Sequence, residues 1–464
     1  MRVSYLFTIL ISLTAAAKKE AEKKELSPEH KAAFQVFNDI SAGKYTVGQT
    51  DIEVNNVDHG VSTLIVAVKT GNLDIVKTLV LEENPPADVN IQESHKGESP
   101  VQIAVLSGFT DIVKFLLSNG AHGNQKDMKG GHTALMGAAA KNDMEMASLL
   151  VDHGVILDEI SATGSTAFTI AAGLGHVEMT KYLLKAGAEV DIADKDGYTA
   201  LLDAAYNGHT EIVAILLEAG ANAGHYNNDK LNAIHYANLE GHKDIMLLLK
   251  GAVNTDISAE SDKLKQTPLM FAVNQAKMED VKLLVEELGA DVNQADINGT
   301  VVLHTAAMTG ELEMVKYLVE NGADVNKKDA TGQSAILSAT LAKKIDIITY
   351  LVEKGVSVVE AHAGGTTPFH YAAMTGDLDI VKFYVKHGAT AMMETNEQNV
   401  PLDFAAMLGH AELVKWLVEE LGADVDHVAK DGKTAFDYAS TIKKDAATIE
   451  YLKNKSFFTA GMEL

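Results

Sequence analysis

The sequence predicts an all-α fold, a solenoid of stacked helix pairs, and two observations predict it. One short string recurs along the chain, and every copy carries the punctuation of two short helices. The string reads Gly-x-Thr-Pro/Ala-Leu-x-x-Ala-Ala-x-x-Gly-His. It is plain at Gly131-His-Thr-Ala-Leu, Gly164-Ser-Thr-Ala-Phe, Gly197-Tyr-Thr-Ala-Leu, Gly365-Thr-Thr-Pro-Phe-His and Gly432-Lys-Thr-Ala-Phe, and altered at Gly97, Gly299 and Gly332. A degenerate first copy starts at Gly60, and three more place Lys230, Lys265 and Gln398 where the glycine belongs. The twelve anchors are spaced by 37, 34, 33, 33, 33, 35, 34, 33, 33, 33 and 34 residues. A chain of 464 residues would otherwise suggest about three ordinary domains, but a repetitive chain grows by adding units.

Repeat ten shows the elements in order. Thr367 is placed to cap the first helix, and Pro368 sits in the first turn, where its missing N–H costs nothing. Ala372 and Ala373 are small enough for neighbouring helices to approach closely. Gly376 ends the helix by taking the left-handed conformation. Ile380, Val381 and Phe383 return on helical spacing as the apolar stripe of the second helix, which Gly388 closes. One such pair cannot bury its own apolar face, so each repeat depends on its neighbours.

A period near 33 residues with this string resembles the ankyrin repeat, over residues 58–454. The resemblance implies two antiparallel helices per repeat followed by an outward β-turn fingertip loop. It also implies that the positions just after the Ala pair line a concave, partner-binding face.

The flanks read differently. Residues 1–17 have the parts of a secretory signal peptide: Arg2, an apolar core from Val3 to Leu13, and Ala15-Ala16-Ala17 as a cleavage site. The other reading is a buried N-terminal helix in a cytoplasmic protein. Export would place the chain in the secretory pathway, the extracellular space or a bacterial periplasm. Residues 18–57 form a charged leader and an N-terminal helical cap containing Phe34, Val36, Phe37 and Ile40. In a eukaryotic secretory route, Asn298-Gly-Thr300 would be an N-glycosylation acceptor, with Asn454-Lys-Ser456 a second. Repeat six ends early at Lys250-Gly251, and a polar insertion then runs from Ile257 to Lys265. The joint at 250–265 is either a longer fingertip loop or a hinge. The last repeat replaces Ala-x-x-Gly-His with Ser440-Thr-Ile-Lys-Lys-Asp, a more polar outer helix, and residues 455–464 are a tail.

Composition narrows the function. Hydrophobic residues are 47% and charged residues 22%, normal for a folded soluble chain. The formal charge is −25 and the one arginine is Arg2. Phosphate and base recognition lean on the arginine fork, and polyanions repel an acidic chain. The expected partner is therefore a neutral or basic protein or peptide, not nucleic acid. No cysteine is present, which removes thiolate catalysis and Cys-ligated zinc, and no stretch reaches the ~20 apolar residues of a membrane-spanning helix.

Motifs of chemistry resolve into repeat positions. Gly432-Lys433-Thr434 lacks the upstream glycine of a phosphate loop, since His427 stands there. Asp194-Lys-Asp196-Gly197 lacks the first ligand of a calcium loop, where Ile192 stands. Of 17 histidines, His235, His304 and His370 share one repeat position and His176, His209, His242 and His410 another. One per helix pair is the pattern of a recurring structural hydrogen bond, and no metal, cofactor or catalytic residue is expected.

The candidate site is an apolar row after the Ala pair: Leu106, Leu174, Tyr206, Leu239, Met308, Leu341, Met374, Met407 and Leu408. Packing inside a repeat does not demand these residues, and contiguous exposed apolar surface usually marks a contact. Tyr236, Phe271, Tyr371, Phe404 and Tyr438, just before the pair, either tuck into the helix stack or join that surface. The function expected is a non-catalytic interaction scaffold. A structural spacer without a specific groove is the alternative.

Overall fold

The structure, a computed structural model, describes residues 63–460 apart from 84–85, 94–95, 253–254, 256–257, 259, 262–263 and 443–444. The expected signal peptide, leader and N-terminal cap lie outside the described residues. So do four of the nine residues of the expected insertion, 257, 259, 262 and 263. Among the described residues the fold is all-α: twelve helix pairs in chain order, from Thr63–Thr70 with Leu73–Leu81 to Ala435–Ile442 with Ala446–Ala460. Two compact units divide the chain, Met1–Ala221 and Asn222–Leu464. The first holds repeats one to five and the second repeats six to twelve.

Within each unit the first helices carry the core. In repeat ten Phe369, Ala372 and Ala373 are fully buried, and the small pair lets the first helices of repeats nine and eleven close in on either side. From the second helix Ile380, Val381 and Tyr384 are buried. Phe383, expected in the stripe, is half-buried beside the His387 ring, so Tyr384 is the aromatic in the core. Its hydroxyl meets that of Thr340 in repeat nine.

The caps follow the expected chemistry in six repeats, while Ser334 makes no side-chain cap bond and two valines, Val301 and Val400, stand at the cap position. Ser99, Thr133, Thr166, Thr199, Asn232 and Thr267 accept a hydrogen bond from the third helical N–H. Thr367 occupies the same position, but its hydroxyl meets the His370 ring at 2.8 Å in place of a helix amide. Gly376 has φ +71°, and a Cβ there would run into the His410 ring at 2.4 Å.

Within each unit, fingertip turns are tied to the next by backbone hydrogen bonds. In the first unit Ala162 N–H donates to Gly130 O (2.7 Å) and Lys195 N–H to Thr163 O (2.9 Å). In the second, Ala330 reaches Asn298 O (2.8 Å), Asn396 reaches Gly364 O (2.9 Å) and Lys430 reaches Glu397 O (3.0 Å). Extra residues are absorbed locally. Repeat seven is one residue longer than the common period, and its second helix ends in a π-turn, Leu283–Glu287. Across the 250–265 segment, Asn238 donates to Pro268 O (2.8 Å) and Lys277 to Leu239 O (2.7 Å), joining repeats six and seven.

Candidate functional site

The second helices cover one side of the first helices, and the opposite side holds the positions after each Ala pair. In the second unit the row falls in register at Met308, Leu341, Met374 and Met407, one per consecutive repeat. Met308 is 46% exposed and Leu341 38%, while Met374, Met407 and Leu408 are half-buried, as is Leu239. None is core. Between Leu239 and Met308 the position is Asn274, which interrupts the row in repeat seven.

Neighbouring positions widen this strip without adding charge. Before the Ala pairs stand Thr305, Ser338, Tyr371 and Phe404, and after the row stand Thr309, Ala342, Thr375 and Leu408. The Thr309 and Thr375 hydroxyls bond carbonyls of their own helices (3.1 and 2.8 Å), which leaves their methyl groups to the surface. In a chain that is 22% charged, these twelve positions, three in each of repeats eight to eleven, carry no charge, and all but the buried Ser338 are exposed or half-buried.

The five aromatic candidates divide. Tyr236 and Tyr438 are buried: Asn227 donates to the Tyr236 hydroxyl (2.8 Å), and the Tyr438 hydroxyl donates to Asp431 (2.9 Å). These two belong to the stack. Phe271, Tyr371 and Phe404 are half-buried, with Phe271 edge-on to His235 and Phe404 edge-on to His370. Phe404 and Tyr371 therefore border the methionine row.

The first unit presents a different face. Leu106 and Tyr206 are exposed (39% and 44%) and Leu174 is half-buried, but Ala140 and Gly173 interrupt the row. Asp203 stands where the second unit has aromatics. Burial, reinforced by the charge of Asp194, pushes its carboxyl up to about 7.

The histidines stitch repeats together. The Val301 N–H donates to His304 Nδ1 (3.1 Å), so the ring is protonated at Nε2 and donates to Lys327 O (3.0 Å) and Gln333 O (3.2 Å). His370 does the same between Thr367 N–H (3.1 Å) and Met393 O (2.9 Å). Burial holds both rings below the usual histidine range. The second histidine series reaches back one repeat, His209 to Gly173 O (3.1 Å) and His410 to Met374 O (2.9 Å). His410 thus fixes the backbone of a row residue.

Sequence reasoning passed over Asp403. It occupies the position of His235, His304 and His370, and the aligned strings held that signal. Asp403 is 1% exposed.

Asn298 is exposed in its fingertip turn, and Asn454 is exposed on the helix Ala446–Ala460. Gly432 and Lys433 form a fingertip turn, with Lys433 paired to Asp431 at 2.7 Å. Among the described residues no helix is long and apolar enough to cross a membrane.

The sequence pattern of ankyrin repeats, in its three-copy form, matches overlapping windows from residue 29 to residue 458, the first spanning 29–127 and the last 369–458. A search of the curated proteins found no match. Proteins built from this repeat generally mediate protein–protein interaction and are typically non-catalytic. With twelve helix pairs, β-turn fingertips and a match along most of its length, the chain belongs to the ankyrin-repeat family.

Proposed function

We propose that this protein is a non-catalytic scaffold that holds a partner protein or peptide on the open face of repeats eight to eleven. The carrying observation is the uncharged strip around Met308, Leu341, Met374 and Met407. Methionine adapts its shape to a partner, and a row at one-repeat intervals suits an amphipathic helix or an extended peptide. Phe404 and Tyr371 add aromatic area along one border. A net charge of −25 around an uncharged strip favours a ligand with an apolar face and neutral or basic flanks. We assign export to the same protein, with residues 1–17 removed and Asn298 open to glycosylation.

A random-peptide display selection against the full chain tests this reading. Enriched peptides should share apolar positions flanked by neutral or basic residues, and should compete with one another for one site. Enrichment of acidic peptides, or of peptides that bind equally well after Met308→Glu, would overturn it.

A further inference from the structure

We propose that Asp403 is a proton-operated latch: neutral, it seals the first helix of repeat eleven into the stack, and ionised, it loosens that helix against repeat twelve. The inference rests on an arrangement of acceptors without donors. Asp403 lies in the first turn of the helix Pro401–Leu408. Its Oδ2 accepts the Val400 N–H at 2.8 Å, which caps the helix, while its Oδ1 is buried with no hydrogen-bond partner. On the other side of Val400, the Asn399 side-chain oxygen is also buried and lacks a donor. At the same position in repeats eight and ten, His304 and His370 each supply an Nε2–H to a carbonyl of the following fingertip. An ionised carboxylate accepts only, whereas a protonated one carries the donor that the histidines provide.

The surrounding charged and titratable groups give little help to the ionised form. From the fingertip of repeat twelve, His427 favours the charge and Asp431 opposes it. The first helix of repeat twelve brings Asp437, whose carboxylate is already bonded by Thr434 N–H and hydroxyl (both 2.9 Å), and Tyr438, whose hydroxyl is given to Asp431. The first helix of repeat ten brings His370, which is engaged with Thr367 and Met393, and the half-buried Tyr371. The second helix of repeat eleven carries Glu412 and Lys415, of which Lys415 lies toward the Tyr451 ring. Burial is the largest influence on Asp403 and pushes its carboxyl from the ordinary 3.8 up to about 6. A carboxyl raised in the folded state takes up a proton on folding between those values. Mild acid therefore tightens this end of the array, and the stability it adds is lost as pH rises through 6. The latch lies on the helix that carries Phe404 and Met407, but the inference does not depend on partner binding there.

Hydrogen exchange by mass spectrometry on the full chain, corrected for intrinsic pH dependence, tests it at pH 5 and pH 7. Peptides from residues 401–408 and 435–442 should exchange more slowly at pH 5 in the wild type, by up to about tenfold. Asp403→Asn, which supplies a permanent donor, should remove the difference and protect both segments at pH 7. Asp203→Asn, in the other unit, should leave it intact. The same pH response in Asp403→Asn, or none in the wild type, overturns the latch. If Asp403→Asn does not fold, a carbon-detected titration of the wild-type Asp403 carboxyl decides: a midpoint near 6 supports the latch, and one near 4 overturns it.

Discussion

His370 shows how a single side chain does work that the repeat string only hints at. Its ring is fully buried, takes the Thr367 N–H on one nitrogen and gives a hydrogen to Met393 O with the other. Replacing it with alanine leaves both groups buried without partners and should cost about 2–3 kcal/mol, read by urea unfolding at pH 7. Burial lowers the affinity of His304 and His370 for protons, so the stability they add is full above the ordinary 6.5 and is lost as pH falls below it. Asp403 acts in the opposite direction, so local exchange separates the two effects where a global melt would mix them. The recurrence of histidine was legible as structural bonding. The roles of Thr367, Tyr384 and Asp403 were not, because each depends on what the next repeat places opposite: a ring, a hydroxyl or no donor at all.

At the scale of the helix pair, the sequence's exceptions fall on strained backbone. Lys230, Lys265 and Gln398, which replace the anchor glycine, have φ of 58°, 53° and 61°, inside the left-handed region that their neighbours enter as glycines. Ala276 and Lys343 do the same at the end of first helices, with φ of 54° and 58°. Ala276→Gly and Gln398→Gly should each stabilise the protein by about 0.5–1 kcal/mol, seen as a higher urea midpoint with an unchanged slope. A fall in midpoint would show that these positions are not strained. Cap residues, small pairs and stops were readable from the string because they are decided within one turn of helix. The π-turn at Leu283–Glu287 was not. One added residue can be absorbed as a bulge or as a longer loop, and the choice rests on how Leu284 and Leu288 pack, both of which are buried.

At the scale of the whole molecule, twelve anchors predicted twelve helix pairs, because a repeat that relies on neighbours preserves its spacing. The division of the chain was not legible: it falls between Ala221 and Asn222, and the unusual segment at 250–265 lies inside the second unit. Nothing in the repeat string marks Ala221, since compactness sums many weak contacts. The apolar row was legible as surface, for packing within a repeat leaves those positions free. The two buried aromatics, Tyr236 and Tyr438, were not separable from the half-buried three without the hydroxyl partners that the fold supplies. Expression in a eukaryotic secretory system should yield a chain beginning at Lys18 and carrying a glycan on Asn298, both read by mass spectrometry. A chain that begins at Met1 or Arg2 and lacks the glycan would place the protein in the cytoplasm.

The central claim is that the uncharged strip of repeats eight to eleven binds and does not hold the fold together. Its row of Met308, Leu341, Met374 and Met407 is exposed or half-buried, and side chains of this size contribute on the order of 1.5–3 kcal/mol each when an interface buries them. The most direct test is titration calorimetry with a selected peptide on Met308→Glu/Met374→Glu/Met407→Glu, alongside thermal unfolding of the same variant. The account predicts binding weakened at least about a hundredfold with a nearly unchanged unfolding midpoint. Wild-type affinity in the variant would move recognition to the fingertips, and a collapsed midpoint would show that the row is core; either result contradicts the account.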